Sequence, residues 1–151
     1  MIAVDTNILV YAHREDSQFF RIADARLTQL AESGARFAIP WPCLHEFLAI
    51  VTHPRIYNPP TPLPHALDQV ASWLEIPGLV LLGEKAGYWP ELHDLLIAAR
   101  IVGPRVHDAR IAALCRLHRV DIVWSADRDL TRFAGLEVEN PLQGDHTLRL
   151  K

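Results

Sequence analysis

The chain has 151 residues, half of them hydrophobic and 22% charged, with 15 Lys and Arg against 18 Asp and Glu for a formal net charge of -3. At that length one domain buries roughly 70% of the surface its unfolded chain exposes; no apolar run nears the ~20 residues that span a bilayer, and the composition excludes wholesale disorder. The two cysteines, Cys43 and Cys115, form no CxxC pair, which excludes a cysteine zinc site and fits a reducing cytoplasm, MIAVDTN does not read as a secretory signal, and the mild acidity argues against an indiscriminate polyanion binder.

In chain order, IAV at 2–4 predicts a first buried strand, and Asp5 follows it where a turn or a helix near Asn7 begins. Phe20, Ala23, Leu27, Leu30 and Ala31 recur at helical spacing before the stop signal Gly34. FAI at 37–39 predicts a second strand, and helical spacing returns from Pro42 to Val51. HPRIYNPPTPLP at 53–64 carries five prolines and reads as a stiff loop between two helices. A helix from Leu63 to Leu74, a strand LVLL at 79–82, helices from Trp89 to Val102 and from Asp108 to Leu117, a strand DIVW at 121–124 and a last strand LEV at 136–138 complete the pattern. Short apolar runs without strict alternation suit strands buried on both faces, and their alternation with helices predicts an α/β domain around a mainly parallel sheet. The residues from Leu142 onward lack periodicity and are expected to form a tail, 142–151, after a domain spanning 1–141.

Several acids stand where apolar residues or helix starts are expected. Asp5 lies at the carboxyl end of the first strand, the edge where open α/β sheets hold ligands. Glu46 shares a helical face with Pro42, Cys43, Ala49 and Ile50, so its carboxylate needs an Arg or His partner, a proton or a cation. HExxH chemistry fails, because Ala49 occupies the position of the second histidine. Asp108 opens a helix after Gly103-Pro104, where the macrodipole alone favours an acid. Asp127 and Asp129 follow the strand at 121–124 and separately read as turn residues. Together they make an acidic pocket at one sheet edge geometrically natural. Carboxylates about 5 Å apart repel by roughly 3 kcal/mol per pair at an effective dielectric of 20. A hard divalent cation relieves that repulsion, and an oxygen-only donor set favours Mg²⁺ or Mn²⁺ over zinc.

DTNILVYA at 5–12, Glu46 in its apolar helix, VHDARIAAL at 106–114 and SADRDL at 125–130 together resemble the PIN-domain ribonucleases, specifically the VapC-type toxins of type II toxin-antitoxin systems. THPRIYNP at 52–59 resembles a segment found in a subset of those toxins. The resemblance spans residues 1 to about 141 and implies a PIN-like three-layer α/β/α sandwich with a central, mainly parallel sheet of four or five strands. It carries the catalytic, metal-holding acids over to Asp5, Glu46, Asp108 and Asp127, with Asp129 as a further metal ligand or supporting acid. Thr6 and Ser125 match small hydroxyl positions that orient carboxylates or water. The implied activity is metal-dependent RNA hydrolysis leaving 5′-phosphate and 3′-hydroxyl ends. The implied partners are a VapB-type antitoxin and a second copy of the chain in a homodimer, with no membrane. SADRDL departs mildly from the family pattern, since relatives often carry Thr at position 125 and Phe at position 130.

For RNA contacts, Arg14, Arg55, Arg105, Arg110, Arg128 and Arg132 lie near the acidic motifs or in adjoining loops, and His53, Arg55 and Tyr57 add charge and a stacking face on the proline-rich loop. Solvated arginines and a packing role for Tyr57 are the plain alternatives. Trp41, Trp73, Trp89 and Trp124 fit a core or a dimer interface. Two other functions compete. A phosphotransfer domain built on an aspartyl phosphate is disfavoured by DTN in place of DxD and by the scarcity of lysine, only Lys85 and Lys151. A noncatalytic PIN-like RNA-binding scaffold is disfavoured because all four acids are retained. Setting those four aside leaves 14 acids against 15 bases, so the mild acidity belongs largely to the acidic pocket.

Overall fold

A computed structural model describes residues 1–144, and the expected tail from 145 onward lies outside the described residues. Among the described residues a sheet of five parallel strands is built from β1 (Ile2–Val4), β2 (Phe37–Pro40), β3 (Leu79–Leu82), β4 (Ile122–Trp124) and β5 (Glu137–Glu139), in the order β3-β2-β1-β4-β5. The central strand β1 pairs Ile2 with Phe37 on one side and with Ile122 on the other. The chain therefore steps outward from β1 to β3 and then returns to β1's other flank. Such a reversal, here at the carboxyl ends of β1 and β4, is the usual ligand position in open α/β sheets.

The six helices that complete the α/β/α arrangement are α1 (Thr6–His13), α2 (Phe20–Glu32), α3 (Trp41–Val51), α4 (Leu63–Leu74), α5 (Tyr88–Ala98) and α6 (Val106–Leu117). α1 packs on α2 and α3, α5 packs on α6, and α3 reaches α6 and α4. Phe37, Ile39, Ile8, Leu30, Phe47 and Leu114 are fully buried between these layers. Removing such side chains from water contributes about 1.5 to 3 kcal/mol each, which makes this contact between sheet and helices the main source of stability.

The sequence pattern and the structure agree closely, with three informative departures. β1 and β2 are buried along their whole length, but the outer strands β3 and β5 are only partly covered; a strand at the sheet margin has one flank without a neighbour. β5 begins one residue later than LEV suggests. Helix α5 stops at Ala98 rather than Val102, because the Ile101 amide turns back to the Leu96 carbonyl at 3.0 Å and Arg100 takes a left-handed φ of 53°. That reverse-turn cap ends the helix although the apolar spacing continues. Among the described residues no helix is long and apolar enough to cross a membrane.

Candidate active site

Asp5 is placed by two local features at once. Its backbone N–H donates to the Trp124 carbonyl at 3.0 Å, extending the β1–β4 pairing by one step. Its extended backbone and side chain then cap α1, with Oδ1 accepting the Thr6 N–H at 2.7 Å. The cap expected from the sequence is thus formed, and it leaves the carboxylate at the carboxyl end of β1. Its other oxygen, Oδ2, accepts the Ser125 hydroxyl at 2.7 Å and the Asn7 amide at 2.9 Å. The Cys43 thiol lies 3.6 Å from Oδ1 as a weak fourth donor.

Around Asp5 the other acids come from separate elements. Glu46, in the middle of α3, accepts the Thr6 hydroxyl at 2.7 Å through Oε2. Its partner is thus a neutral hydroxyl rather than an Arg or His. Asp108 stands in the first turn of α6 and accepts no hydrogen bond from another described residue. Asp127 caps a short 3-10 turn (Arg128–Arg132) that follows β4, accepting the Asp129 N–H at 2.8 Å. Asp129 faces Arg132 at 3.4 Å.

The electrostatics tie these acids together. Burial pushes the Asp5 carboxyl above its ordinary value of 3.8, opposed by the Ser125 and Thr6 donors, and the Glu46 charge adds to the rise. Burial likewise raises Asp108, and the neighbouring charges of Asp127, Glu46 and Asp129 raise it further, with Arg105 opposing. Each shift has the sign of a carboxylate short of positive charge. Thr6 and Ser125, the two hydroxyls singled out from sequence, both donate to carboxylates.

The donor chemistry fits a hard divalent cation, because every ligand candidate is a carboxylate or hydroxyl oxygen. Among the described residues no three or more His, Cys, Asp or Glu come together as a metal-holding group, so a cation bound here would keep most of its waters and take one or two carboxylates directly, as Mg²⁺ commonly does. A carboxylate offers about four lone-pair positions, and the four donors around Asp5 occupy them. Direct ligation there must displace one donor, and the thiol at 3.6 Å is the weakest.

The expected RNA contacts are scattered. Arg110 sends Nε and Nη2 to Glu84 at 3.1 and 2.7 Å. Arg128 is exposed beside Asp127, and Arg55 is exposed on the proline-rich loop. Tyr57 is half-buried, with the Arg14 guanidinium 4.2 Å above its ring, so one face is already covered. Arg14 is not available to phosphates: it is 8% exposed and its nitrogens bond Asp16, Thr61 and the Pro59 carbonyl. Trp73 and Trp124 are core residues, whereas Trp41 and Trp89 are exposed.

Sequence reasoning missed Asn7 and Cys43 as partners of Asp5. A signal existed for Asn7, an amide in the first turn of a helix whose next three residues are all buried. Its partners beyond Asp5 lie more than 100 residues away, so the signal had no local meaning. Cys43 offered none, since a buried cysteine ordinarily behaves as a small hydrophobe.

Comparisons with known proteins span most of the chain. The family model for the PIN domain matches residues 2–136. Ribonuclease VapC37 of Mycobacterium tuberculosis is 34% identical over 142 residues, covering 93% of this chain and 97% of that protein. Ribonuclease VapC48 of the same organism is 28% identical over 140 residues, again covering 93% and 97%. In fold, the chain is similar to a chain of the crystal structure of VapBC2 from Rickettsia felis bound to a DNA fragment from their promoter. There the TM-score is 0.69 at 20% identity, covering 93% of this chain and 98% of that one.

Proposed function

Because the chain belongs to the PIN domain family, among the VapC ribonucleases, we propose that it is a metal-dependent RNA endonuclease acting as a toxin held in check by an antitoxin. The observation that carries this reading is the convergence of Asp5, Glu46, Asp108 and Asp127 at one sheet edge, with Asp108 raised by the charges of its neighbours. Asp129 adds a further acid. Asp5, Glu46, Asp108 and Asp127 would hold Mg²⁺ or Mn²⁺, with Asp129 directly or through water. When bound, the cation neutralises the pocket and stabilises the charge that develops on a phosphodiester during hydrolysis.

The chain's own residues supply the rest. Ser125, Asn7 and the Thr6 amide hold Asp5 in one orientation, and the Thr6 hydroxyl does the same for Glu46. Asp108, raised and accepting no hydrogen bond among the described residues, is suited to take a proton from an attacking water. Arg105 is the cation whose field reaches Asp108, and it would meet a phosphate of the bound RNA. Arg55, Arg110 and Arg128, with the open face of Tyr57, would contact flanking RNA. Hydrolysis by water leaves 5′-phosphate and 3′-hydroxyl ends, since no ribose hydroxyl attacks.

The nuclease domain would extend over 1–141, with 142–151 as an appendage, in the cytoplasm. A VapB-type antitoxin is the expected protein partner, as in the VapBC complex whose fold the chain shares. Trp89, Ile97 and Val102, 65, 69 and 80% exposed on and just past α5, support an apolar homodimer contact there. Purified protein incubated with RNA and Mg²⁺ or Mn²⁺, with product ends read by labelling, tests the reading. Metal-independent cleavage that leaves 2′,3′-cyclic phosphates would overturn it.

A further inference from the structure

The geometry points to Asn7 as the positioning residue that fixes the distance between the acid of β1 and the acids that follow β4, an assignment that rests on the nuclease reading above. Asp5 still pairs with β4 through its N–H, but the Asp127–Asp129 turn lies beyond the end of that ladder. The ladder alone therefore does not hold the second group. Two side chains, Asn7 and Ser125, span the gap. The Asn7 amide nitrogen donates to Asp5 Oδ2 at 2.9 Å and lies 3.0 Å from the Ser125 hydroxyl. Its carbonyl oxygen accepts the Ala126 backbone N–H at 2.9 Å.

The orientation of this amide is set by its surroundings. Turned over, it would put its carbonyl against the Asp5 carboxylate and its NH₂ against the Ala126 N–H, two like contacts in place of two hydrogen bonds. The Ser125 hydroxyl closes the circuit, donating its proton to Asp5 and accepting from Asn7 and from the Asp127 N–H at 3.0 Å. Every polar atom of the Asn7 side chain thus joins the first acid to the backbone that carries the last two. Asn7 needs no contact with substrate or cation to matter. It keeps carboxylates that repel one another from moving apart, which is the task of a residue one step behind a metal site.

The test compares Asn7→Ala and Asn7→Asp with the unsubstituted protein, using amide hydrogen exchange and Mn²⁺ affinity measured by electron paramagnetic resonance. In Asn7→Ala, the Ala126 amide is expected to exchange at least about tenfold faster while Val123 in β4 is unchanged. Mn²⁺ affinity should fall about tenfold or more, as for other groups that orient ligands. Asn7→Asp turns the donor into a second carboxylate oxygen facing Asp5; the repulsion should push its side chain off Ala126, so that this amide again exchanges faster while Val123 does not, and this variant carries the test if Asn7→Ala does not fold. An unchanged Ala126 amide in either variant, or unchanged Mn²⁺ affinity in Asn7→Ala despite faster exchange, would overturn the assignment. Failure of the unsubstituted protein to bind Mn²⁺ would instead sink the metal reading, and the exchange data would still judge Asn7.

Discussion

At one end of α1, Asp5 is enclosed by neutral donors and other carboxylates, and among the described residues no Arg or Lys bonds it. Just past the other end, Arg14 is as deeply buried, but Asp16 answers it through two hydrogen bonds at 2.8 and 2.6 Å, the Thr61 hydroxyl and the Pro59 carbonyl accept further hydrogen bonds from it, and Tyr57 lies under its guanidinium. His13 joins this second cluster through Thr61 and Gln69. Both regions bury a charge within one short helix. The Arg14 cluster cancels its charge and ties the proline-rich loop to the domain. The Asp5 cluster leaves its charge uncancelled, the condition under which a site has affinity for an outside cation.

Replacing the central residue of each cluster separates these roles most sharply. Asp5→Ala, or Asp108→Asn, is expected to reduce RNA cleavage by at least about 100-fold, some 2.7 kcal/mol of transition-state stabilisation, while circular dichroism still shows a folded chain. Full activity in both variants would remove the acidic pocket from the mechanism. Arg14→Ala should do the reverse. It leaves the Thr61 and Pro59 oxygens short of donors and uncovers Tyr57, so chemical denaturation should report a loss of about 2 to 4 kcal/mol, with little change in turnover by the remaining folded protein.

A third expectation concerns metal. Mn²⁺ at about 100 times its dissociation constant should stabilise the protein by about 2.7 kcal/mol, seen as a higher melting temperature near neutral pH and a smaller one in acid, where the carboxyls are protonated. Arg14→Ala should keep this increment and Asp108→Asn should lose most of it. Equal increments in both variants would erase the contrast between the clusters.

The smallest effect is in the pH dependence, where the two clusters have opposite signs. Asp5 and Asp108 are raised above 3.8, so between 3.8 and their folded values the native state holds more protons than the unfolded chain. Stability of the metal-free protein therefore declines as pH rises through that window. Asp16 is lowered by its bond to Arg14, so its contribution is present above 3.8 and is lost as pH falls through its depressed value. Melting curves across pH should show Asp108→Asn flattening the first slope, by less than about 1 kcal/mol because the carboxyl is partly solvated, and Asp16→Asn flattening the second. A metal-free protein whose stability rises steadily from acid to neutral pH would contradict the first.

Much of this molecule is legible in its residues because the relevant signals are local. The strands at 2–4 and 79–82 and the helix from Leu63 to Leu74 coincide with the observed elements, since apolar period and proline placement act within a few residues. The candidate acids stand out for a related reason. Asp5 and Asp127 interrupt the pattern just after strands, and Glu46 interrupts an apolar helix face, so each stands out against its own neighbours.

Tertiary structure alone decided which polar groups meet. Asn7 finds Ser125 and Ala126 across 118 and 119 residues, Cys43 finds Asp5 across 38, and Arg14 finds Thr61 across 47. Arg14 reads in the sequence as one more basic residue near an acidic motif, and only the fold turns it inward onto Tyr57 and Asp16. The physical reason is that hydrophobic periodicity specifies which face of an element is buried, whereas hydrogen-bond partners depend on strand order and helix packing. The sequence by itself determined the layers and the candidate acids; the order β3-β2-β1-β4-β5 set β1 beside β4, so that Asp5 and Asp127 follow adjacent strands.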